Sequence, residues 1–291
     1  MGTGGEASFY VTPFNTDALI ETVDAAEKCG LYYTVIGNAT NLIFSDEGFD
    51  GAVISTKRLS AVAVDGRLLH AECGSSLPAL SATALSRSLT GLEGLVSIPG
   101  SVGGALVSNA GAFGNEISDG LLYFSVYLPK TGVFEIRTPR THPFSYRKSH
   151  ATDGGAIILS ATFSLTLSDK TEIAEKMRKN VEKRRLSQPI GVKSVGSFFK
   201  KPDYADPSRS AYPEYSGKSA GELIDLCGLK GKRIGDAAVS EKHAGFLVNL
   251  GKAKAEDILR LAAEVKAEVL QRTGVTLTEE CVKLAPRKDS V

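Results

Sequence analysis

Between Gly91 and Gly120 the chain places eight glycines among alanines and serines, with a single aromatic residue, Phe113. Across the whole chain there are 30 glycines in 291 residues, more than the usual ~7%. No three-residue period runs through them, so a collagen-like rod is excluded. The glycines must serve turns and places where backbone closely approaches another group. Two blocks carry most of this density. One is Ser97-Ile98-Pro99-Gly100-Ser101-Val102-Gly103-Gly104-Ala105, and the other is Ser108-Asn109-Ala110-Gly111-Ala112-Phe113-Gly114. Neither is a G-x-G-x-x-G turn following a strand, so the Rossmann fingerprint fails, and neither is a P-loop. Close contact with a ligand is one reading, and glycines that ease helix packing are the other.

Composition narrows the class. Apolar residues make up 42% and charged residues 23%, which is globular rather than disordered. Lys and Arg total 34 against 33 acidic residues. A chain so balanced lacks the basic excess of a nucleic-acid binder. Cys29, Cys73, Cys227 and Cys281 are scattered, and neither they nor His70, His142, His150 and His243 show metal spacing. Four reduced, mostly buried thiols and no metal are expected. No apolar run approaches ~18 residues, and the start, MGTGGEASFY, has no basic region followed by an apolar stretch. A cytoplasmic protein with no membrane partner and no leader is the expectation.

The periodicities are mixed. Ser8–Val11 reads as a strand, then Asn15 or Thr16 caps a helix with Leu19, Ile20, Val23 and Ala26 on one face, ended by Gly30. Strands follow at Tyr32–Ile36 and Ala52–Ser55. Asp65-Gly66 between Val62–Val64 and Leu68–Ala71 signals a hairpin, and Leu77–Leu89 reads as a helix. Further strands are expected at Leu122–Leu128, Val133–Arg137 and Ala156–Leu165. A charged helix opens at Ser168 or Asp169 and stops before Pro189, with Ile173, Met177 and Val181 inward. Beyond it come a strand near Ser197–Phe199, a short helix near Gly221–Cys227, a strand near Gly245–Asn249 and a helix Ala255–Thr273 capped by Gly274. Val275–Leu284 reads as a last strand. The class is α+β, with two domains or three small ones and the main boundary near residue 168.

Four further motifs could carry chemistry. In Val35-Ile36-Gly37-Asn38-Ala39-Thr40-Asn41-Leu42 a strand runs into small and amide residues, which suits backbone N–H groups aimed at an anion such as a pyrophosphate; a polar turn is the alternative. Phe144-Ser145-Tyr146-Arg147-Lys148-Ser149 sets an arginine beside a tyrosine after a proline, fit for an anionic substrate or simply a solvated basic loop. Ser194-Val195-Gly196-Ser197-Phe198-Phe199-Lys200-Lys201-Pro202 puts a hydroxyl on a tight, aromatic-backed element, where it can donate a proton to a strongly basic carbanion. Glu279 and Glu280 are adjacent in a strand and therefore point to opposite faces.

In this order, the motifs resemble the UDP-N-acetylenolpyruvoylglucosamine reductases. The resemblance runs from about Gly4 to about Leu284 and rests on Ile98–Gly104, Asn109–Gly114, Tyr146-Arg147 and Gly196-Ser197-Phe198-Phe199-Lys200. Ala220-Gly221, Leu223-Ile224, Gly228-Leu229-Lys230-Gly231, Val239-Ser240 and Asn249 complete it. It is the shorter type of the family, without a tyrosine-bearing insertion.

The resemblance implies a two-subdomain FAD-binding module of the PCMH, vanillyl-alcohol-oxidase-like type at 1–57 and 58–167, followed by a smaller α+β substrate-binding domain at 168–291. It implies FAD against Gly37, Asn38, Ala39, Thr40 and Asn41, against Pro99, Gly100, Ser101, Gly103 and Gly104, and near Asn109, Ala110 and Gly111. NADPH is the implied hydride source, and the enolpyruvyl ether of UDP-N-acetylglucosamine is the acceptor in peptidoglycan precursor synthesis. Ser197 is the implied proton donor, with Arg147 and Glu280 stabilising the enolate. Tyr146, Arg147, Lys201 and His243 are the implied substrate contacts, and a monomer is implied. The chain departs from the family's usual pattern at Asn38-Ala39-Thr40, where glycines and serine are usual, at Lys201 for asparagine and at Glu279 for proline. Relatives also carry a segment before Gly4-Gly5-Glu6-Ala7. An altered-specificity or non-catalytic flavin-binding relative, or another flavin oxidoreductase of the same fold, are the alternatives.

Overall fold

The computed structural model describes residues 1–204 and 213–286. It divides into two compact units. The larger comprises Ala7–Ala39 and Asp50–Arg184, and the smaller comprises Met1–Glu6, Thr40–Phe49 and Arg185–Val291.

The larger unit is built on two sheets. In the three-stranded one, Phe49–Ser55 lies between Ala7–Val11 and Tyr33–Ile36, and pairs with the latter in parallel, Ile36 opposite Ser55. The helix Thr16–Lys28 begins where the Asn15 side chain accepts from the Ala18 N–H, satisfying one of the four orphan donors of a helix start. It buries Leu19, Val23 and Ala26. The five-stranded sheet is antiparallel, in the order Val133–Arg137, Leu121–Leu128, Ile157–Ser164, Leu68–Glu72, Val62–Asp65. One continuous core joins both sheets, from Leu19 and Ile54 through Leu69 and Leu77 to Phe124 and Phe163. In addition, Tyr127 Oη donates to Asp24 Oδ1 at 2.5 Å.

Within the glycine-rich stretch lies a helix that periodicity does not foretell, Val102–Ser108. Ser101 caps it by accepting from the Gly104 N–H, and Asn109 closes it in a left-handed conformation, φ 46°. Val102, Ala105 and Leu106 are buried, so sheet packing outweighs the weak propensity of two glycines.

In the smaller unit a four-stranded antiparallel sheet runs Lys193–Ser197, Phe246–Asn249, Ala237–Val239, Arg233–Ile234. The helix Ala255–Thr273 covers it with Ile258, Leu261, Val265 and Val269, and ends at Gly274 as expected. Val282–Leu284 pairs in parallel with Leu42–Phe44, a strand the sequence reading misses. The expected last strand is therefore interrupted: among the described residues, 275–281 pair only at the Phe199–Glu279 bridge.

The helix Lys170–Ser187 begins where Asp169 Oδ1 accepts from the N–H groups of Thr171 and Glu172. Ile173 and Met177 are buried, but Val181 is exposed, so the apolar stripe is one turn shorter than expected. Cys73, Cys227 and Cys281 are buried thiols and Cys29 is exposed. Burial lifts the Cys73 thiol to about 12 and the Cys281 thiol to about 11.

Candidate functional site

In the larger unit, two loops meet that are far apart in sequence, Asn38 and Pro99 lying 61 residues from each other. A Cβ on Gly37 would lie 2.0 Å from Ser101 Oγ, so only glycine lets the first loop close onto the second. Asn38 Nδ2 donates to the carbonyl of Pro99 at 3.0 Å. Ala39 follows with φ 52°, in the left-handed region. Among the described residues, no acceptor pairs with the main-chain N–H of Gly37, Asn38 or Ala39. A run of such amides ending in a left-handed residue forms an anion-binding nest. The second loop uses its amides differently. The N–H groups of Val102 and Gly103 donate to Ser75 and Cys73, and that of Gly104 donates to Ser101 Oγ. Of Pro99, Gly100, Ser101, Gly103 and Gly104, the two later glycines thus spend their amides within the protein.

Among the described residues of this unit, Ser55 Oγ, Ser97 Oγ and Asn109 Oδ1 are oxygens buried without a hydrogen-bond partner. Ser55 sits opposite Ile36, one residue before the cradle, and Ser97 lies two residues before Pro99. Buried polar groups are rarely left unsatisfied. An amide nest flanked by orphaned hydroxyl and amide oxygens fits a polyhydroxylated diphosphate cofactor such as FAD. The sequence reading misses Ser55 and Ser97, and only small side chains at strand and loop ends mark them.

Arg147 belongs to the same unit. Phe144-Ser145 and Lys148-Ser149 form a hairpin whose two-residue loop is Tyr146-Arg147. Arg147 has φ 52°, an uncommon conformation for a side chain of its size. Its Nη1 donates to the Asn109 carbonyl at 3.3 Å and its Nη2 to the Gly111 carbonyl at 2.8 Å. The guanidinium also lies 5.2 Å from the centre of the exposed Tyr146 ring. Asn109 itself is fully buried, and its Nδ2 donates to Glu116 Oε2 at 2.6 Å and to the Ser145 carbonyl at 3.0 Å. Ala110 continues the turn, its N–H on the Ala105 carbonyl.

The smaller unit holds the remaining candidates. The strand Lys193–Ser197 carries a bulge: Ser194 pairs with Val248 but Ser197 pairs with Phe246. Gly196 takes up the extra residue at φ 83°, and Ser197 emerges exposed ahead of the buried Phe198 and Phe199. Bulges re-aim side chains in this way. The Glu280 N–H donates to the Phe198 carbonyl and the Lys200 N–H to the Thr278 carbonyl, both at 2.8 Å, so this unit brings Ser197 and Glu280 onto adjoining segments. Asn41 is tied to the same place, its Nδ2 on the Glu280 carbonyl at 3.3 Å and its own carbonyl accepting from the Val282 N–H. Thr40 precedes it in the same unit.

Glu279 turns to Lys283 at 2.5 Å and Lys266 at 3.3 Å. Burial alone would raise its carboxyl, but the two lysines outweigh that and hold it below the usual range. Glu280 beside it is half-buried. His243 is held low by burial, with Lys230 adding to the effect. Its Nδ1 accepts from the Gly245 N–H at 3.1 Å, which leaves Nε2 for a ligand. Lys201 is exposed. Among the described residues, no group of three His, Cys, Asp or Glu is placed to hold a metal, and no helix is long and apolar enough to cross a membrane.

A mixed helix-and-strand unit with an amide cradle of this kind is a nucleotide-cofactor-binding module, and residues 7–137 match the family model described as FAD binding domain. Residues 188–284 match a second model, UDP-N-acetylenolpyruvoylglucosamine reductase, C-terminal domain. The chain is 38% identical to the UDP-N-acetylenolpyruvoylglucosamine reductase of Caldicellulosiruptor saccharolyticus over 95% of its length and 86% of the relative's. It is 39% identical to that of Streptococcus pneumoniae strain Hungary19A-6, over 95% and 87%. The crystal structure of the reductase from Thermus caldophilus superimposes with a TM-score of 0.77 at 34% identity, covering 94% of this chain and 91% of that one. The chain belongs to the UDP-N-acetylenolpyruvoylglucosamine reductase family.

Proposed function

We propose that this protein is an FAD-containing, NADPH-dependent oxidoreductase that reduces the enolpyruvyl ether of UDP-N-acetylglucosamine to UDP-N-acetylmuramate in peptidoglycan precursor synthesis. The observation that carries this reading is kinship with named reductases along 95% of the chain. FAD, when bound, would supply the hydride-transfer chemistry that links NADPH to the terminal carbon of the enolpyruvyl group.

The main-chain N–H groups of Gly37, Asn38 and Ala39 would hold the pyrophosphate, with Thr40 and Asn41 extending the segment. Ser55, Ser97 and Asn109 Oδ1 would meet the cofactor's polar groups. Hydride addition leaves negative charge on the carbon beside the carboxylate, in enolate form. Arg147 offers that charge a fixed cation, which is worth most where the donor is already oriented. Ser197 Oγ–H gives its proton to the carbanionic carbon, an acceptor far more basic than water. Glu280 assists the enolate with Arg147, while Tyr146, Lys201 and His243 Nε2 contact the substrate. The exposed position of Ser197 and the double anchoring of Arg147 support these roles. In this reading 1–57 and 58–167 form the flavin-binding module, 168–291 form the substrate-binding domain, and the protein works as a cytoplasmic monomer.

The test is the visible spectrum of the purified protein. A flavin band that bleaches with NADPH and returns on anaerobic addition of the enolpyruvyl ether is the expected result. A band that bleaches and does not return would overturn the substrate assignment. Absence of any flavin binding would overturn the cofactor.

A further inference from the structure

Arg147 occupies a backbone conformation that bulky residues avoid, and its guanidinium rests on two main-chain carbonyls, those of Asn109 and Gly111. Two oriented carbonyls can aim a guanidinium only if they are themselves immobile, and one residue touches the support of both. Glu116 pairs with Gly111 across the short antiparallel ladder Gly111-Ala112/Asn115-Glu116. Its carboxylate accepts from Asn109 Nδ2 at 2.6 Å, a charge-assisted bond of the short, strong kind. The same Asn109 amide donates to the carbonyl of Ser145, two residues before Arg147. Glu116 is fixed in turn, because its N–H donates to Asp119 Oδ2 at 2.7 Å where the short helix Ile117–Gly120 begins.

We propose that Glu116 is a positioning residue for Arg147, acting through Asn109. The carboxylate locks the Asn109 amide, the amide locks the base of the Tyr146-Arg147 hairpin, and the carbonyls of Asn109 and Gly111 set the direction of the guanidinium. Asn109 is thereby assigned chiefly to holding Arg147, with only its Oδ1 left toward the cofactor. The inference rests on the role proposed for Arg147, which belongs to one half of the catalytic cycle. Flavin reduction by NADPH generates no enolate and needs no guanidinium at that place, whereas flavin reoxidation by the enolpyruvyl ether does.

The experiment measures the two half-reactions of the flavin-loaded protein separately by stopped-flow absorbance. FAD affinity and the melting temperature of the apoprotein are measured alongside. In Glu116→Ala, reoxidation by the enolpyruvyl ether should slow by about tenfold to a hundredfold, the scale of a misplaced catalytic group. Reduction by NADPH and FAD affinity should stay within about twofold. Glu116→Gln keeps an oxygen that accepts from Asn109 and should recover most of the loss. Equal slowing of both half-reactions, no slowing, or failure of glutamine to rescue would overturn the proposal. If Glu116→Ala does not fold, Glu116→Asp, which withdraws the carboxylate from Asn109 Nδ2 while keeping its charge, must show the same one-sided loss. Arg147→Ala separates the two claims: slow reoxidation there with normal Glu116→Ala sinks only the role of Glu116. Normal reoxidation in Arg147→Ala sinks both.

Discussion

The side-chain amide of Asn38 donates to the carbonyl of Pro99 at 3.0 Å, binding the amide cradle to a loop 61 residues further along the chain. This bond acts as a clasp between the two loops. The clasp holds the N–H groups of Gly37–Ala39 in place before any anion arrives, so their ordering cost is met during folding.

Asn38→Ala removes this bond from an exposed loop. A net hydrogen bond is worth about 1 kcal/mol, so FAD affinity should fall about fivefold while the apoprotein melting temperature changes little. Flavin fluorescence titration and a thermal melt check the two halves of this statement. A large drop in melting temperature would show instead that the clasp belongs to the core of the fold.

Gly37→Ala should act by a different route. Its new methyl would lie 2.0 Å from Ser101 Oγ, and Ser101 cannot retreat without giving up the helix cap it provides to Gly104. The expected cost is about 1–3 kcal/mol, together with loss of FAD retention. Removing the clashing hydroxyl in Gly37→Ala/Ser101→Ala should return part of that stability, and a denaturant-unfolding cycle across the four proteins measures it.

For Ser197, replacement by alanine leaves hydride chemistry at the flavin intact and removes the proton. NADPH should still bleach the flavin at an undiminished rate, while steady-state turnover of the enolpyruvyl ether falls by ~10²–10⁴. Full turnover in Ser197→Ala would assign the proton to another group.

Glu279 yields a prediction about pH. Its carboxyl is held below its ordinary value of 4.5 in the fold, because the lysines outweigh burial. The folded state therefore binds the proton less readily than the unfolded chain. The stabilisation is complete above pH 4.5 and is lost as pH falls through the lower, folded value. Glu279→Gln should cost about 1 kcal/mol near neutrality, and the gap between the two proteins should close on acidification. Urea unfolding at stepped pH reads it, and a gap that widens toward acid would reverse the sign.

Much of the scaffold is legible in the chain because its signals are local. Asn15, Asp169 and Gly274 mark helix ends through their own side chains or backbone freedom, and the Val62–Glu72 hairpin follows from alternation around a turn. The site is legible as a set of motifs rather than as an arrangement. Ser197, Glu280 and Arg147 can be named from their neighbours, but no local pattern reveals that Glu116 supports Asn109 or that Ser55 and Ser97 are left without partners. Such facts depend on how separate segments pack once the chain has folded.

The sequence by itself determined the α+β class, the positions of most helices and strands, and membership in a family whose motifs recur in a set order. Only the tertiary structure decided that Val102–Ser108 is a helix despite its glycines, that Gly103 and Gly104 spend their amides on the protein, and that Glu279 meets both Lys266 and Lys283. The reason is physical. Periodicity and capping act within a few residues and are written locally. Close packing, hydrogen-bond satisfaction and backbone strain are set by partners that meet only when the chain has folded.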